Sequence, residues 1–331
     1  MDQALRTNAS SSGLDLERKV IKELSRRSDR PGLIWLAKWL ALMAITGYLV
    51  HLSMGTWWLI PTMIVYGTVL TLPMYAMSHE CAHGTAFRSR WLNETMFWIS
   101  SLIYIEEPLL RRYAHASHHT YTAIDGLDGQ QVFGTASTFP KWLKEFSGVG
   151  QYLYESNMLL RNAFGRFDAE VLRYTPADEL PRLSRNARIF LLIYIGGGLA
   201  AWYFAATWVW WYLVLPRLVG GPIMIQVTLI QHAEAERNMH DLRETTRSSV
   251  SSPLGEFLYM NMNYHIEHHA FSGVPFHALP ALNRELQDRL PPPDPGIVQT
   301  GLELVWVCLK RSLGRNTRAP SIRQAESMIE G

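Results

Sequence analysis

The sequence predicts an all-α integral membrane protein, with four transmembrane helices in two hairpins and a cytosolic helical cap rich in histidine. Three observations lead there. Charged residues make up 18% of the 331 residues, against 48% hydrophobic, where soluble domains carry roughly 25% charge. Two pairs of long apolar runs are each joined by a very short link, near residues 55 and 207. Lysine and arginine flank the outer ends of both pairs and are missing from the links.

Taken in order, residues 1–31 form a polar segment with no apolar run, which does not fit a secretory signal and is expected to be mobile. Residues 33–54 carry one charge, Lys38, near the cytosolic end where its ammonium can snorkel. At 1.5 Å per residue this run reaches about 33 Å, enough for a bilayer core of about 30 Å. Residues 56–78 carry no charge and form the second span. Residues 92–110 are apolar but end in Glu106-Glu107-Pro108, so an interfacial or half-inserted helix is expected. Residues 189–206 and 208–230 form spans three and four. Trp208, Trp210, Trp211 and Tyr212 suit an interfacial belt. Arg217 costs at least about 2.5 kcal/mol if it faces lipid, so it either marks a break in this helix or points into the protein. The membrane domain thus covers 32–290. Residues 291–331 supply a PPPDPG loop, an amphipathic stretch to about Leu313 that can lie on the membrane, and a tail expected to be mobile.

The basic residues Arg26, Arg27, Arg30, Arg88, Arg90, Arg182, Arg185, Arg188, Arg237 and Arg243 place both termini and residues 79–188 on the cytosolic side. The net charge of +2 gives no reason to expect nucleic-acid binding. Two cysteines, Cys81 and Cys308, exclude a disulfide framework, a Cys-type zinc site and an iron–sulfur cluster.

Histidine carries the chemistry. Residues 79–83 read HECAH, 115–119 read HASHH and 265–269 read HIEHH, so eight of twelve histidines fall in three clusters. One H-x-x-H-H is expected by chance roughly 0.016 times in such a chain; here there are two. His232, in QHAEAE just past span four, lies on the same side. On a helix His79 and His83 share a face, as do the first histidine of each H-x-x-H-H and its fourth and fifth positions. Neighbouring histidines diverge by about 100°, so His118/His119 and His268/His269 can each reach two different ions. Mg and Ca prefer oxygen ligands, and zinc takes four or five. Eight or nine neutral nitrogens fit two octahedral redox ions, for which iron is the best match. Glu80 and Glu267, inside the clusters, are the candidates to orient metal-bound rings; Asp125, Asp128, Glu234 and Glu236 lie nearby.

With these motifs the chain resembles the membrane fatty-acid desaturase-like superfamily over roughly residues 33–290. Its three boxes match His79/His83, His115/His118/His119 and His265/His268/His269, and its additional ligand after the last span matches His232. The resemblance implies two non-haem Fe ions, O2 as co-substrate, and oxidation of an unactivated C–H bond in a lipid or hydrocarbon chain. Some acyl desaturases have Asn four residues before the additional histidine; Thr228 stands there, which puts the detailed acyl-desaturase chemistry in doubt. NMNYHIEHHAF and VPFHALP are also similar to a bacterial hydrocarbon-oxygenase subgroup that includes a protein of rhizopine catabolism. That implies the alternative of oxidative O-demethylation of a small molecule. The inner membrane of a bacterium is the expected location. No nucleotide-binding, iron–sulfur or cytochrome b5 motif is present, so an external electron donor is expected, a ferredoxin with its reductase. Arg111, Arg112, Arg161, Arg166, Arg182, Arg185 and Arg188 are candidates for its docking face.

Two rivals remain. HECAH fits the H-E-x-x-H of a membrane zinc peptidase with Glu80 as base, but that leaves both H-x-x-H-H clusters unused. A non-catalytic membrane metal carrier would bind metal without consuming O2.

Overall fold

A computed structural model describes residues 12–130 and 138–315. Among them the structure is helical, and extended segments meet only in an isolated bridge between Ser249 and Asp294. In chain order the helices used below are α1 (Arg18–Leu24), α2 (Asp29–Ser53), α3 (Leu59–His83), α4 (Arg90–Tyr104), α5 (Pro108–Thr120), α6 (Phe139–Phe146), α7 (Val149–Ala163), α8 (Leu180–Tyr203), α9 (Leu215–Leu229), α10 (His265–Ala270) and α11 (Ile297–Ser312). The chain divides into two units, one of residues 28–114 and 147–224, the other of 1–27, 115–146 and 225–331.

The first unit holds the apolar helices. Three segments are long and apolar enough to cross a membrane: α2, α3, and Trp210–Leu229. They match the first, second and fourth expected spans. Ser28 caps α2 by accepting from the Arg30 amide. The Asp29 carboxylate ties that end to the start of α4, accepting from the Ser89 amide at 2.7 Å and its hydroxyl at 2.5 Å. α3 ends at Gly84, whose φ of 68° is left-handed. The Gly84 amide bonds the Cys81 carbonyl and the Thr85 amide bonds that of Glu80, so the helix stops one residue after His83. α3 and α9 touch backbone to backbone. A Cβ on Gly67 would fall 2.2 Å from the Pro216 carbonyl oxygen, and one on Gly220 2.1 Å from Gly67. Only glycine allows this crossing.

The helix at the fourth expected span begins with a π-helical turn, Trp210–Val214, just before Pro216, an irregularity that proline favours by removing a backbone donor. Arg217 follows it and points into the protein. Its guanidinium lies 5.1 Å from the Tyr152 ring, and the Tyr152 hydroxyl donates to the Arg217 carbonyl. The expected third span, 189–206, falls on α8, which starts nine residues earlier at Leu180 and carries Arg182, Arg185 and Arg188 in its first half. Its later half exposes Leu192, Ile195, Leu199 and Trp202.

The expected single helix over 92–110 is two helices. α4 ends at Ile105, which takes a left-handed φ of 65°, and α5 starts at Pro108, a residue preorganised for a first turn. Glu107 caps α5 by accepting from the Leu110 amide at 2.6 Å, while Asn186 donates to its other oxygen at 2.7 Å. Burial pushes this carboxyl up to about 7 despite those bonds. The arginines expected to form a docking face make these local contacts. Arg111 is 4% exposed and pairs with Glu106. Arg112 pairs with Glu94, Arg161 with Asp168 and Arg182 with Glu179, and Arg188 donates to the Ala163 carbonyl. Most of that charge is therefore neutralised locally.

The second unit packs around the last histidine cluster. Ile266 and Ala270 of α10 are buried with Leu242, Val274, Leu279, Leu282 and Leu286. Leu14 is fully buried in the same core, and the Ser12 hydroxyl accepts from the Leu242 amide. The expected mobile N-terminal segment is thus wrong for residues from 12 onward; 1–11 and the 316–331 tail lie outside the described residues. The amphipathic stretch forms α11, which packs on α6. Ser312 accepts from the Phe139 amide, and Gln226 joins Trp142 to the Gly301 carbonyl. Val298, Leu302 and Trp306 remain exposed along α11.

Candidate metal centre

Two short helical segments present the histidines of the second unit. His115, His118 and His119 occupy the last turns of α5, and His265, His268 and His269 fill α10. α10 is only six residues long, so its placement depends on tertiary anchors. The Ser248 hydroxyl accepts from the Ile266 amide and donates to Glu267 at 2.6 Å. Asn283 donates to the other oxygen of Glu267 at 2.5 Å. His232 sits in the turn after α9.

The rings sort into two sets. His115, His119 and His268 each offer a nitrogen within 4.8 Å of the others, and so do His118, His232 and His269. His265 Nε2 lies 3.2 Å from both His232 Nε2 and His269 Nε2. Each adjacent pair is therefore split, His119 and His268 to one set and His118 and His269 to the other, as a 100° divergence requires.

The outer nitrogens fix the tautomers. The His118 Nδ1 lies 2.9 Å from Asp128 Oδ1, a carboxylate that only accepts when ionised. The His232 Nδ1 lies 3.0 Å from the Thr245 carbonyl, and the His115 Nδ1 2.8 Å from Gln130 Oε1. The Thr122 hydroxyl donates to the His118 carbonyl at 2.7 Å and so accepts from His269 Nδ1 at 3.1 Å. Each of these four rings thus carries its proton outward and turns an Nε2 lone pair inward. The Nε2 atoms of His115 and His119 stand 3.1 Å apart. Ligand nitrogens about 2.1 Å from one ion are about 3.0 Å apart on adjacent octahedral corners and about 3.4 Å apart on a tetrahedron. The observed 3.1–3.2 Å separations fit a metal. Burial and the neighbouring His118 push His232 down to about 4, and burial with His265, His118 and His232 lowers His269 strongly. Both rings are held in the neutral form that ligates metal.

His79 and His83 lie in the first unit, on one face of the last turn of α3, with ring centroids 5.3 Å apart. Eight of the nine sequence-predicted histidines thus sit on helices and His232 in a turn, and seven of the nine belong to one unit.

The expected carboxylates divide differently. Glu267 is fully buried, but its oxygens are taken by Ser248 and Asn283, so it anchors α10 and does not orient a ring. Burial raises its pKa. Glu80 accepts from the Thr85 hydroxyl at 2.8 Å at the end of α3. Asp128 is the acid that holds a ring. Burial disfavours its charge, yet His118 and the amides of Gln130 and Ala123 outweigh this and lower its pKa. Asp125 instead meets Arg237, and Glu234 meets Arg311. Thr122, Gln130 and the Thr245 carbonyl were not foreseen; only the position of Thr122 and Gln130 just after the second cluster hinted at them.

The fatty acid desaturase family model matches residues 55–301, a stretch that holds all nine histidines. The chain is 24% identical over 319 residues to the sn-1 oleoyl-lipid 12-desaturase of Arthrospira platensis, covering 84% of this chain and 83% of that protein. It is 24% identical over 267 residues to human sphingolipid delta(4)-desaturase DES1, covering 79% and 77%. It is 25% identical over 252 residues to the Delta(12) fatty acid desaturase FAD2 of Calendula officinalis, covering 66% and 63%. With three apolar helices of spanning length and a clustered histidine site, the chain belongs to the fatty acid desaturase family of membrane oxidoreductases.

Proposed function

We propose that this protein is a membrane-bound, O2-dependent di-iron oxidase that desaturates or hydroxylates a C–H bond of a lipid or hydrocarbon chain. The observation that carries this reading is the inward convergence of Nε2 lone pairs on His118, His232 and His269, which is electrostatically unfavourable without a cation. His118, His232, His265 and His269 would hold one iron. His115, His119 and His268 would serve the other. Iron bound there would supply the redox chemistry for C–H oxidation by O2, with two electrons from an external donor. Asp128, Gln130, Thr122 and the Thr245 carbonyl hold the Nδ1 protons, so the rings keep one tautomer and one orientation. α8 supplies the third of four spans and so completes the second hairpin, with both termini and the histidines on the cytosolic face of a bacterial inner membrane. A separate ferredoxin and reductase supply the electrons.

The test is expression in a host lacking the protein, with membrane lipids and small metabolites profiled under air. New double bonds or hydroxyl groups on lipid chains are expected, and the His118→Ala variant should lose them. Release of formaldehyde from an O-methylated small molecule, with no lipid change, would replace this reading by O-demethylation. Products that persist in His118→Ala would overturn it.

A further inference from the structure

We propose that Gln231 is a positioning residue: its side chain clamps the turn that delivers His265 onto the turn that carries His232, and so sets the separation of those two rings. The inference rests on the metal-binding part of the oxidase reading, and all of its residues belong to the second unit.

His232 follows α9 in a turn whose own backbone bonds are long. The Gln231 amide lies 3.3 Å from the Thr228 carbonyl, the His232 amide 3.4 Å from that of Leu229, and the Ala235 amide 3.4 Å from that of His232. Backbone bonds are usually about 2.9–3.0 Å, so this turn is weakly held by its own chain. Its short bonds come from outside. The Arg247 amide donates to the Gln231 carbonyl at 2.9 Å, Gln231 Nε2 donates to the Met262 carbonyl at 2.9 Å, and the Tyr259 hydroxyl donates to Gln231 Oε1 at 2.9 Å. Gln231, Tyr259 and Met262 are all buried. A buried polar group whose donor and acceptor are both taken up fixes its surroundings in one arrangement.

The turn ahead of His265 needs such fixing. Met260 and Asn261 take left-handed φ values of 49° and 57°, which crowd a Cβ against the following carbonyl. Two such residues in succession persist only where their flanks are held. Gln231 grips both flanks, the Tyr259 hydroxyl just before Met260 and the Met262 carbonyl just after Asn261. His265 follows Met262 by three residues, and its Nε2 lies 3.2 Å from His232 Nε2. One amide group therefore links the residue beside the first ring to the backbone leading to the second. A leucine at 231 fills the volume but bonds neither flank, which frees Met260 and Asn261 to relax and carries His265 away. Metal–ligand bonds tolerate shifts of only about 0.2 Å. His268 keeps its own anchors, since Ser248 and Asn283 still hold α10 through Glu267. The loss therefore falls on the set that includes His232 and His265, not on the set of His115, His119 and His268.

The experiment titrates the metal-free full chain with Co(II), followed by its visible absorption, in parallel with a melting temperature. The wild-type protein is expected to bind two ions. Gln231→Leu should weaken one of them at least about tenfold, the scale of a lost support behind a metal ligand, and leave the other unchanged. The iron-loaded variant should then show magnetically isolated iron in place of a coupled pair. A glutamine that serves the fold alone would lower the melting temperature and leave the two affinities as they were. Should Gln231→Leu unfold, Tyr259→Phe carries the test by removing a single oxygen, with a smaller weakening of the same ion expected. Wild-type affinity for both ions in a folded variant, or equal weakening of both, overturns the proposal. A wild-type protein that binds two ions yet consumes no O2 when loaded with iron and supplied with electrons would refute the oxidase reading alone. An O2-consuming wild type whose folded variant keeps both ions would refute this proposal alone.

Discussion

Asp128→Asn tests how the site is preorganised. Asp128 Oδ1 faces His118 Nδ1 at 2.9 Å and the Gln130 amide at 2.8 Å, and Oδ2 faces the Ala123 amide at 2.9 Å. All three neighbours are donors, and an ionised carboxylate accepts from all of them. An asparagine cannot. With its oxygen toward His118, its NH2 meets the Ala123 N–H, and a buried backbone donor is left unpaired at about 1–3 kcal/mol. Turned the other way, its NH2 faces His118 and Gln130 and drives the ring toward the wrong tautomer. The variant is expected to lose about 10–100-fold in iron affinity, about 1.4–2.7 kcal/mol. Competition with a calibrated chelator on the purified protein measures this, with a thermal melt to separate folding from binding. Wild-type iron affinity in a folded Asp128→Asn protein would refute the assignment of His118 as an oriented ligand.

Gly67→Ala should destabilise the protein by about 1–3 kcal/mol, because the new Cβ would meet the Pro216 carbonyl at 2.2 Å; a lower melting temperature with normal iron content is expected. Glu267→Ala strands the Ser248 and Asn283 donors and frees α10. A loss of about 1–3 kcal/mol together with reduced iron retention should follow, read by melting and metal analysis. The metal-free protein should lose stability as the pH falls. His232 titrates at about 4 when folded against 6.5 unperturbed, so below about pH 6.5 the unfolded chain takes up a proton the folded one refuses. Stability should keep falling toward about pH 4, and His232→Gln should flatten that part of the profile.

The histidine site was largely legible in the sequence because its information is local. Spacings of three and four place rings on one face, and adjacent histidines must diverge. That is why His118 and His119 fall in different sets. The three unambiguous apolar helices were legible for a similar reason, since length and the absence of charge are properties of a contiguous run. What could not be read depends on contacts far apart in sequence or on chain reversals. α8 begins at Leu180 because the basic turn carrying Arg182, Arg185 and Arg188 continues the helix, whereas hydropathy registers only its apolar half. Arg111 counts as a surface cation until the turn at Ile105 brings Glu106 back onto it. Leu14 looks like part of a polar tail until Leu242, Ile266 and Leu282 enclose it.

The acids show the same division. Glu80 and Glu267 drew attention by lying between histidines. Position within a cluster does not decide which way a side chain points, and Glu267 turns to Ser248 and Asn283. Asp128, ten residues past His118, reaches the ring because the chain turns back after α5, held by the Ala123 and Gln130 amides on its carboxylate.

The most direct measurement is metal content with Mössbauer spectroscopy on protein purified from iron-57 medium. Two irons per chain are expected, with the paired quadrupole doublets and diamagnetic ground state of a coupled diferric centre. One zinc per chain, or iron that remains magnetically isolated at full loading, would contradict a dinuclear site built by these histidines.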